Sequence, residues 1–307
     1  AEDGAWRVHA PTWRPDLMRP EDLVEEIARA IGYDAIPTEL PRVLPSGRGV
    51  APRLRLARRL REAAADIGLL EAVNFSFVSR EELARARVDQ DGVMLANPLS
   101  EERCVMRTSL LPGLLGDVAR ARRRQPRAVT LFELARTYHG VGEALPAEPL
   151  TLAIVLSGPR VSHVGPDGPY DFYDGKGALA SIVEAALGAP LTASTDGSLN
   201  APHLHPRRRA RLSIGDQTVG HLGEVHPDVS EAWDLDLRVV YGELHVDRLL
   251  EIAGARGVPQ AQDLPRFPSV ARDVSLCLDE AVEATAVIGV LRVAGGDRVE
   301  EIALIDV

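Results

Sequence analysis

Apolar residues recur along this chain with two periods, and the switches between them outline the elements. Over 20–31, Leu23, Ile27 and Ala30 return every three or four residues, which predicts a helix with one buried stripe. Pro20, Glu21 and Asp22 suit its first turn, and Gly32 stops it. A second helix is expected over 52–67, where Leu56, Leu60 and Ala63 share a face opposite arginines. Others are expected over 109–124, with cations at the C-terminal end, and over 172–188, ended by Gly188. Strands are expected at 71–79 (EAVNFSFVS), 93–99, within 128–139, and at 149–158. A hairpin with a Gly-Asp turn spans 210–229, and a strand followed by a short helix spans 239–252.

Two proline-bearing stretches interrupt this pattern. Residues 36–52 carry four prolines and two glycines and read as an extended linker, which places a domain boundary near residue 45. Residues 259–273 form a second linker. Beyond it Val274, Leu276 and Leu278 alternate with Ser275 and Cys277, so a strand is expected at 273–279, then a helix near 283–294 and a strand at 299–307. A lone strand–helix–strand of this size is too small to bury a core of its own. The three segments expected are 1–45, 46–258 and 259–307. The opening Ala1 and the closing strand both read as the interior of a longer protein.

Composition narrows the function classes. The net charge of -10 argues against a surface that binds nucleic acid throughout, while leaving room for local basic clusters. No apolar run is long enough to span a membrane, and no leader pattern opens the chain. Cys104 and Cys277 are too few and too distant for a zinc site or a disulfide framework, and read as reduced thiols of a cytoplasmic protein.

Nucleotide motifs are weak. There is no phosphate-binding Gly-x-x-x-x-Gly-Lys-Ser/Thr loop, and GKGALA follows YDFYD rather than an apolar strand. His203 and His205 form a pair with no third ligand beside them, so a loop without metal is the plainer reading. The arginine runs supply candidate RNA contacts: Arg123 and Arg124 in VARARRRQPR, and Arg207, Arg208 and Arg209 in PRRRARL. A solvated face accounts for either run equally well.

The densest candidate site lies in WRPDLMRPEDLVEEIARAIGYDAIP. Asp22, Glu25 and Glu26 stand at i, i+3 and i+4 on one helix face, and Asp16 precedes them closely enough to fold back. Like charges at this spacing repel unless a cation or a basic partner neutralises them. Hard oxygen donors favour Mg²⁺. Spacing alone leaves a solvated face and a cation site both open.

The order of segments resembles the β subunit of bacterial phenylalanine–tRNA ligase. APTWRPDLMRPEDLVEEIARAIGYDAIP is similar to the end of that family's winged-helix-like domain. ANPLSEERCVMRTSLLPGLL, LFELARTY, YDGKGALASIVEAALG and GHLGEVHPDV resemble its synthetase-like domain, and RFPSVARDVSLCLDEAV its ferredoxin-fold anticodon-binding domain. The resemblance implies an α+β fold: a class II synthetase-like antiparallel sheet core with flanking helices. The end of a winged-helix-like domain would precede it and a truncated ferredoxin-like βαβ would follow. It implies that Asp16, Asp22, Glu25 and Glu26 bind Mg²⁺ in a site shared with a catalytic α subunit. It also implies an assembly of two α and two β chains that uses ATP to attach phenylalanine to tRNA.

Departures from the family pattern bear on activity. An active class II core holds ATP phosphates with an arginine in Gly-x-Gly-x-x-x-Arg, which is absent here, and Phe132-Glu133 lacks the upstream arginine of an Arg-x-Glu pattern. The chain itself is therefore expected to have no catalytic residues. Residues 205–210 read His-Pro-Arg-Arg-Arg-Ala where the family often has His-Pro-Gly-Arg-Ser-Ala. Two rival readings remain: an independent ATP-dependent ligase, and an interaction module without a tRNA role.

Overall fold

The computed structural model describes residues 6–43, 47, 49–124, 127–140, 145–160, 168–195, 198–257 and 267–305. Its first helix, α1 (Pro20–Ile31), forms where the periodicity puts it. No residue of α1 is buried, so the stripe expected at Leu23, Ile27 and Ala30 covers no core. The boundary expected near residue 45 falls outside the described residues.

The body of the molecule is built in chain order from α2 (Pro52–Asp66), β1 (Leu70–Glu71), β2 (Phe77–Val78), α3 (Arg80–Arg85), β3 (Val105–Met106), α4 (Leu111–Arg124), β4 (Val129–Arg136) and β5 (Leu150–Ser157). The short strands β6 (Pro159–Arg160) and β7 (Gly168–Pro169) follow, then α5 (Phe172–Leu187), β8 (Thr192–Ser194), β9 (Leu204–Ile214) and β10 (Gln217–Val225). Next come α6 (Pro227–Ala232), β11 (Val239–His245) and α7 (Val246–Arg256).

Seven strands form one sheet in the order β1-β4-β5-β11-β10-β9-β8. Only the β1–β4 pair is parallel. Strand alternation divides the apolar residues between its two faces. Phe132, Leu134, Leu152, Ile154, Leu222, Val240 and Leu244 pack under α2, α5 and α7. Val129, Val155, Val225, Val239 and Tyr241 pack under α4 and α6. Strand β5 is buried on both faces, which explains why its sequence LTLAIVLS reads as a continuous apolar run. The architecture is thus mixed α and β around a large, mostly antiparallel sheet.

Glycine sets the closeness of the helical layer. A Cβ at Gly175 of α5 would lie 2.6 Å from Val240 Cγ1, and one at Gly242 would lie 2.7 Å from Leu179 Cδ1. The missing side chains let α5 lie flush on β10 and β11.

Four expected strands fail. Residues 93–99 form no strand and contribute only a single bridge, Met94 to Val105. The strand expected over 71–79 is interrupted between β1 and β2. Residues 273–279 and 299–305 carry no strand, although the intervening helix α8 (Ala284–Gly295) forms; Val307 and its neighbour lie outside the described residues. A helix satisfies its hydrogen bonds internally, whereas a strand needs a neighbour. Val274, Leu276 and Leu278 are exposed, so the βαβ unit is not assembled among the described residues.

Candidate functional site

The N-terminal carboxylates meet arginines. Arg14 donates from Nη2 to Asp16 at 2.7 Å and from Nε at 3.0 Å, and the same guanidinium bonds Glu26. Arg29 bonds the other oxygen of Glu26. Hydrogen bonds from Arg14, then Arg29, hold the Glu26 carboxyl down to about 2, and Arg14 holds Asp16 below the ordinary carboxylate range. Asp22 plays a different part: its Oδ2 accepts from the amides of Met18 at 2.8 Å and Arg19 at 2.7 Å, tying down the helix start. Glu25 is exposed.

The four residues therefore lie on one short segment, but only Asp16 and Glu26 converge, and they converge on Arg14. Among the described residues no group of three or more His, Cys, Asp or Glu side chains is placed to hold a metal. The donors have the hardness Mg²⁺ requires. Arg14 lies between Asp16 and Glu26 and bonds both.

The arginine candidates separate by environment. Residues 207–209 lie in β9, not in a loop, so their side chains alternate between faces. Arg208 bonds Glu224 at 2.5 Å, and Glu224 is also held by Arg238 at 3.2 Å. Arg209 donates to the Ala201 carbonyl at 3.0 Å, and Arg207 is exposed. Arg123 and Arg124 are exposed at the C-terminal end of α4. Arg122 and Arg123 line an open groove of about 680 Å³ whose other charged residues are Glu231, Asp234 and Asp236. These carboxylates offset the attraction for phosphate that the arginines alone suggest.

The densest chemistry lies on the sheet, and the sequence reading passed over most of it. Arg107 donates to Glu133 at 2.6 Å, with the two side chains only 5% and 2% exposed. Asn74 donates from its amide nitrogen to Glu133 at 3.0 Å and to Asp117 at 2.8 Å. Further along the same face, Tyr241 donates to Glu243 at 2.6 Å, and His203 meets His221 at 3.0 Å between Nε2 atoms. The ladder aligns Glu133 with Ala153, Ala153 with Glu243, and Glu243 with His221, so one row crosses four strands. His203 thus pairs with His221 and not with His205. Burial, then the proximity of His221, pushes the His203 imidazole down to about 3. The available signal was Glu133 inside an apolar strand, a position that burial makes costly unless a partner is supplied.

A family model described as phenylalanyl tRNA synthetase beta chain CLM domain matches residues 36–246. The chain belongs to the phenylalanyl tRNA synthetase beta chain family. A second model, the tRNA synthetase B5 domain, matches residues 1–33. Relatives named phenylalanine–tRNA ligase beta subunit include one from Moorella thermoacetica, 40% identical over 99% of this chain and 38% of the relative. Another, from Symbiobacterium thermophilum, is 41% identical over all of this chain and 35% of the relative. The chain thus spans well under half the length of these beta subunits. Among solved structures, pyrrolysyl-tRNA synthetase from Desulfitobacterium hafniense matches with a TM-score of 0.51 and 18% identity, over 68% of this chain and 72% of that one. That likeness is one of fold.

No helix among the described residues of this beta-chain segment is long and apolar enough to cross a membrane.

Proposed function

We propose that this chain is the part of a phenylalanine–tRNA ligase β subunit that supports catalysis without performing it. In this reading the holoenzyme uses ATP and phenylalanine, its α subunit forms the adenylate, and two α and two β chains assemble in the cytoplasm. Residues 1–45 close a winged-helix-like domain, 46–258 form the synthetase-like core, and 259–307 begin an anticodon-binding domain.

The observation that carries the non-catalytic assignment is the Arg107–Glu133 pair. Glu133 stands in LFELAR, the strand that resembles the ATP-binding strand of active cores. Its carboxylate is already claimed by Arg107 and Asn74, and its side chain is almost wholly buried, which leaves no acceptor for a nucleotide.

A second feature supports association with the α subunit. From 73 to 76 the chain alternates inside out: Val73 and Phe75 are 90% and 73% exposed, while Asn74 and Ser76 are half-buried. Apolar side chains held in water along a sheet edge mark an interaction surface. For Mg²⁺, Asp16, Asp22, Glu25 and Glu26 are the residues that would hold the ion, supplying hard carboxylate oxygens. Arg207 is the arginine left best able to meet tRNA.

The test is aminoacylation of tRNA with phenylalanine, using the α subunit with and without the full-length β protein. Activity only with both present, lost on replacing Asp22 and Glu26 by Ala, supports the reading. ATP–pyrophosphate exchange by the β protein alone overturns it in favour of an independent ligase. No binding to the α subunit would leave an interaction module.

A further inference from the structure

We infer that Arg14 competes with a divalent cation for the carboxylates of α1: its guanidinium ties Asp16 to Glu26 and must turn aside before the two can hold a metal together. This rests on the Mg²⁺ reading above.

The local fold brings two carboxylates to one guanidinium. The Arg14 amide donates to the Pro11 carbonyl at 2.9 Å and the Met18 amide to the Asp16 carbonyl at 3.0 Å, so the chain turns just ahead of α1. Arg14 Nε then reaches both oxygens of Asp16, at 3.0 and 3.1 Å, and Nη2 reaches Oδ2 at 2.7 Å. The same Nη2 bonds Glu26 Oε1, and Arg29 bonds Glu26 Oε2. All four carboxylate oxygens of Asp16 and Glu26 therefore accept from a guanidinium. The other two carboxylates differ. Asp22 accepts the helix-start amides through Oδ2 alone, and neither its Oδ1 nor Glu25 takes a hydrogen bond among the described residues.

An arginine that only positioned Asp16 would not need Glu26 as well. Nη2 touches Asp16 Oδ2 and Glu26 Oε1 at once, so it and a cation bridging those oxygens exclude each other by charge and by space. The fork of the guanidinium makes this possible, because its nitrogens are fixed in one plane and meet two acceptors together. Arg29 bonds one carboxylate only and bridges nothing. The Arg14 contact is also one that can yield. The Arg14 side chain is 31% exposed and that of Asp16 59%, and ion pairs standing in water contribute little. A hard divalent ion, drawn by several carboxylates at once, can therefore displace it.

The experiment measures Mn²⁺ bound to the full-length β protein by electron paramagnetic resonance, alone and with its α subunit, with Mg²⁺ as the displacing ion. Asp22→Asn combined with Glu25→Gln should remove the bound ion. Arg14→Gln should lower the Mn²⁺ Kd by about two- to fivefold, the scale of an exposed ion pair. Arg14→Lys should also lower it, since lysine keeps the charge but cannot fork across two carboxylates. Arg29→Gln removes a charge without opening the bridge and should change Kd less. If Arg29→Gln matches Arg14→Gln while Arg14→Lys does nothing, net charge is the cause and the competition is overturned. If Arg14→Gln leaves Kd unchanged or weakens binding, Arg14 is no competitor, and the metal site stands without it. If no Mn²⁺ binds at a site that Asp22 and Glu25 control, with or without the α subunit, the Mg²⁺ reading falls and the competition with it.

Discussion

Arg107 and Glu133 form a buried ion pair 2.6 Å apart, between the segment that leads into α4 and the centre of β4. Removing one member leaves the other charge buried and unpaired, a loss of about 3–5 kcal/mol. Glu133→Leu or Arg107→Leu should therefore lower the urea midpoint sharply. The double change to apolar residues of similar size should cost less than the two single losses added together. Equilibrium unfolding of the four proteins checks this, and an additive result would show that the pair is not coupled.

Acid should destabilise the sheet through the two histidines. Burial and the nearby His221 hold the His203 imidazole near 3, and burial also lowers His221. An unfolded histidine titrates near 6.5, so below that pH the unfolded chain binds protons that the folded chain refuses. Stability should be level above about pH 6.5 and fall by ~1.4 kcal/mol per pH unit on account of His203 as pH drops toward 3, with His221 adding a loss of the same sign. His203→Gln should flatten that slope. Unfolding midpoints across pH 7 to 4 make the comparison.

Neighbouring arginines of β9 should behave oppositely. Arg207 is exposed, whereas Arg208 neutralises the buried Glu224. Arg207→Gln should leave stability within about 0.5 kcal/mol and, if Arg207 meets a phosphate, lower the salt slope of tRNA binding by about one. Arg208→Glu sets two carboxylates together and should lower the thermal midpoint instead. Equal effects on tRNA binding would remove the distinction.

Gly220 tests how tightly β10 meets β11. A Cβ there would lie 1.9 Å from the Glu243 carbonyl oxygen, which is backbone and cannot swing aside. Gly220→Ala should cost about 3 kcal/mol, the upper end of overpacking. Gly177→Ala is the control, since nothing lies within 4 Å of its Cβ position. Calorimetry of both variants shows whether the close approach is the cause.

What this chain determines locally was legible without coordinates. Periodicity and end signals place α1, α2, α4 and α5 within about two residues, because a helix is closed by bonds within its own segment. The apolar run of β5 and the hairpin of β9 and β10 are likewise written in short stretches. Contacts between distant segments were not legible. Nothing near Glu133 in sequence names Arg107, 26 residues away, or Asn74, 59 residues away. His203 looks like a partner for His205 until strand pairing brings His221 opposite it. The run 207–209 looks like one basic patch until the β9 pleat divides it. Toward the C-terminal end, Val274, Leu276 and Leu278 alternate as a strand should, yet among the described residues no strand pairs with them. Helices and turns follow from nearby residues. Strand partners, buried charge pairs and the face each arginine takes are decided only when remote segments meet.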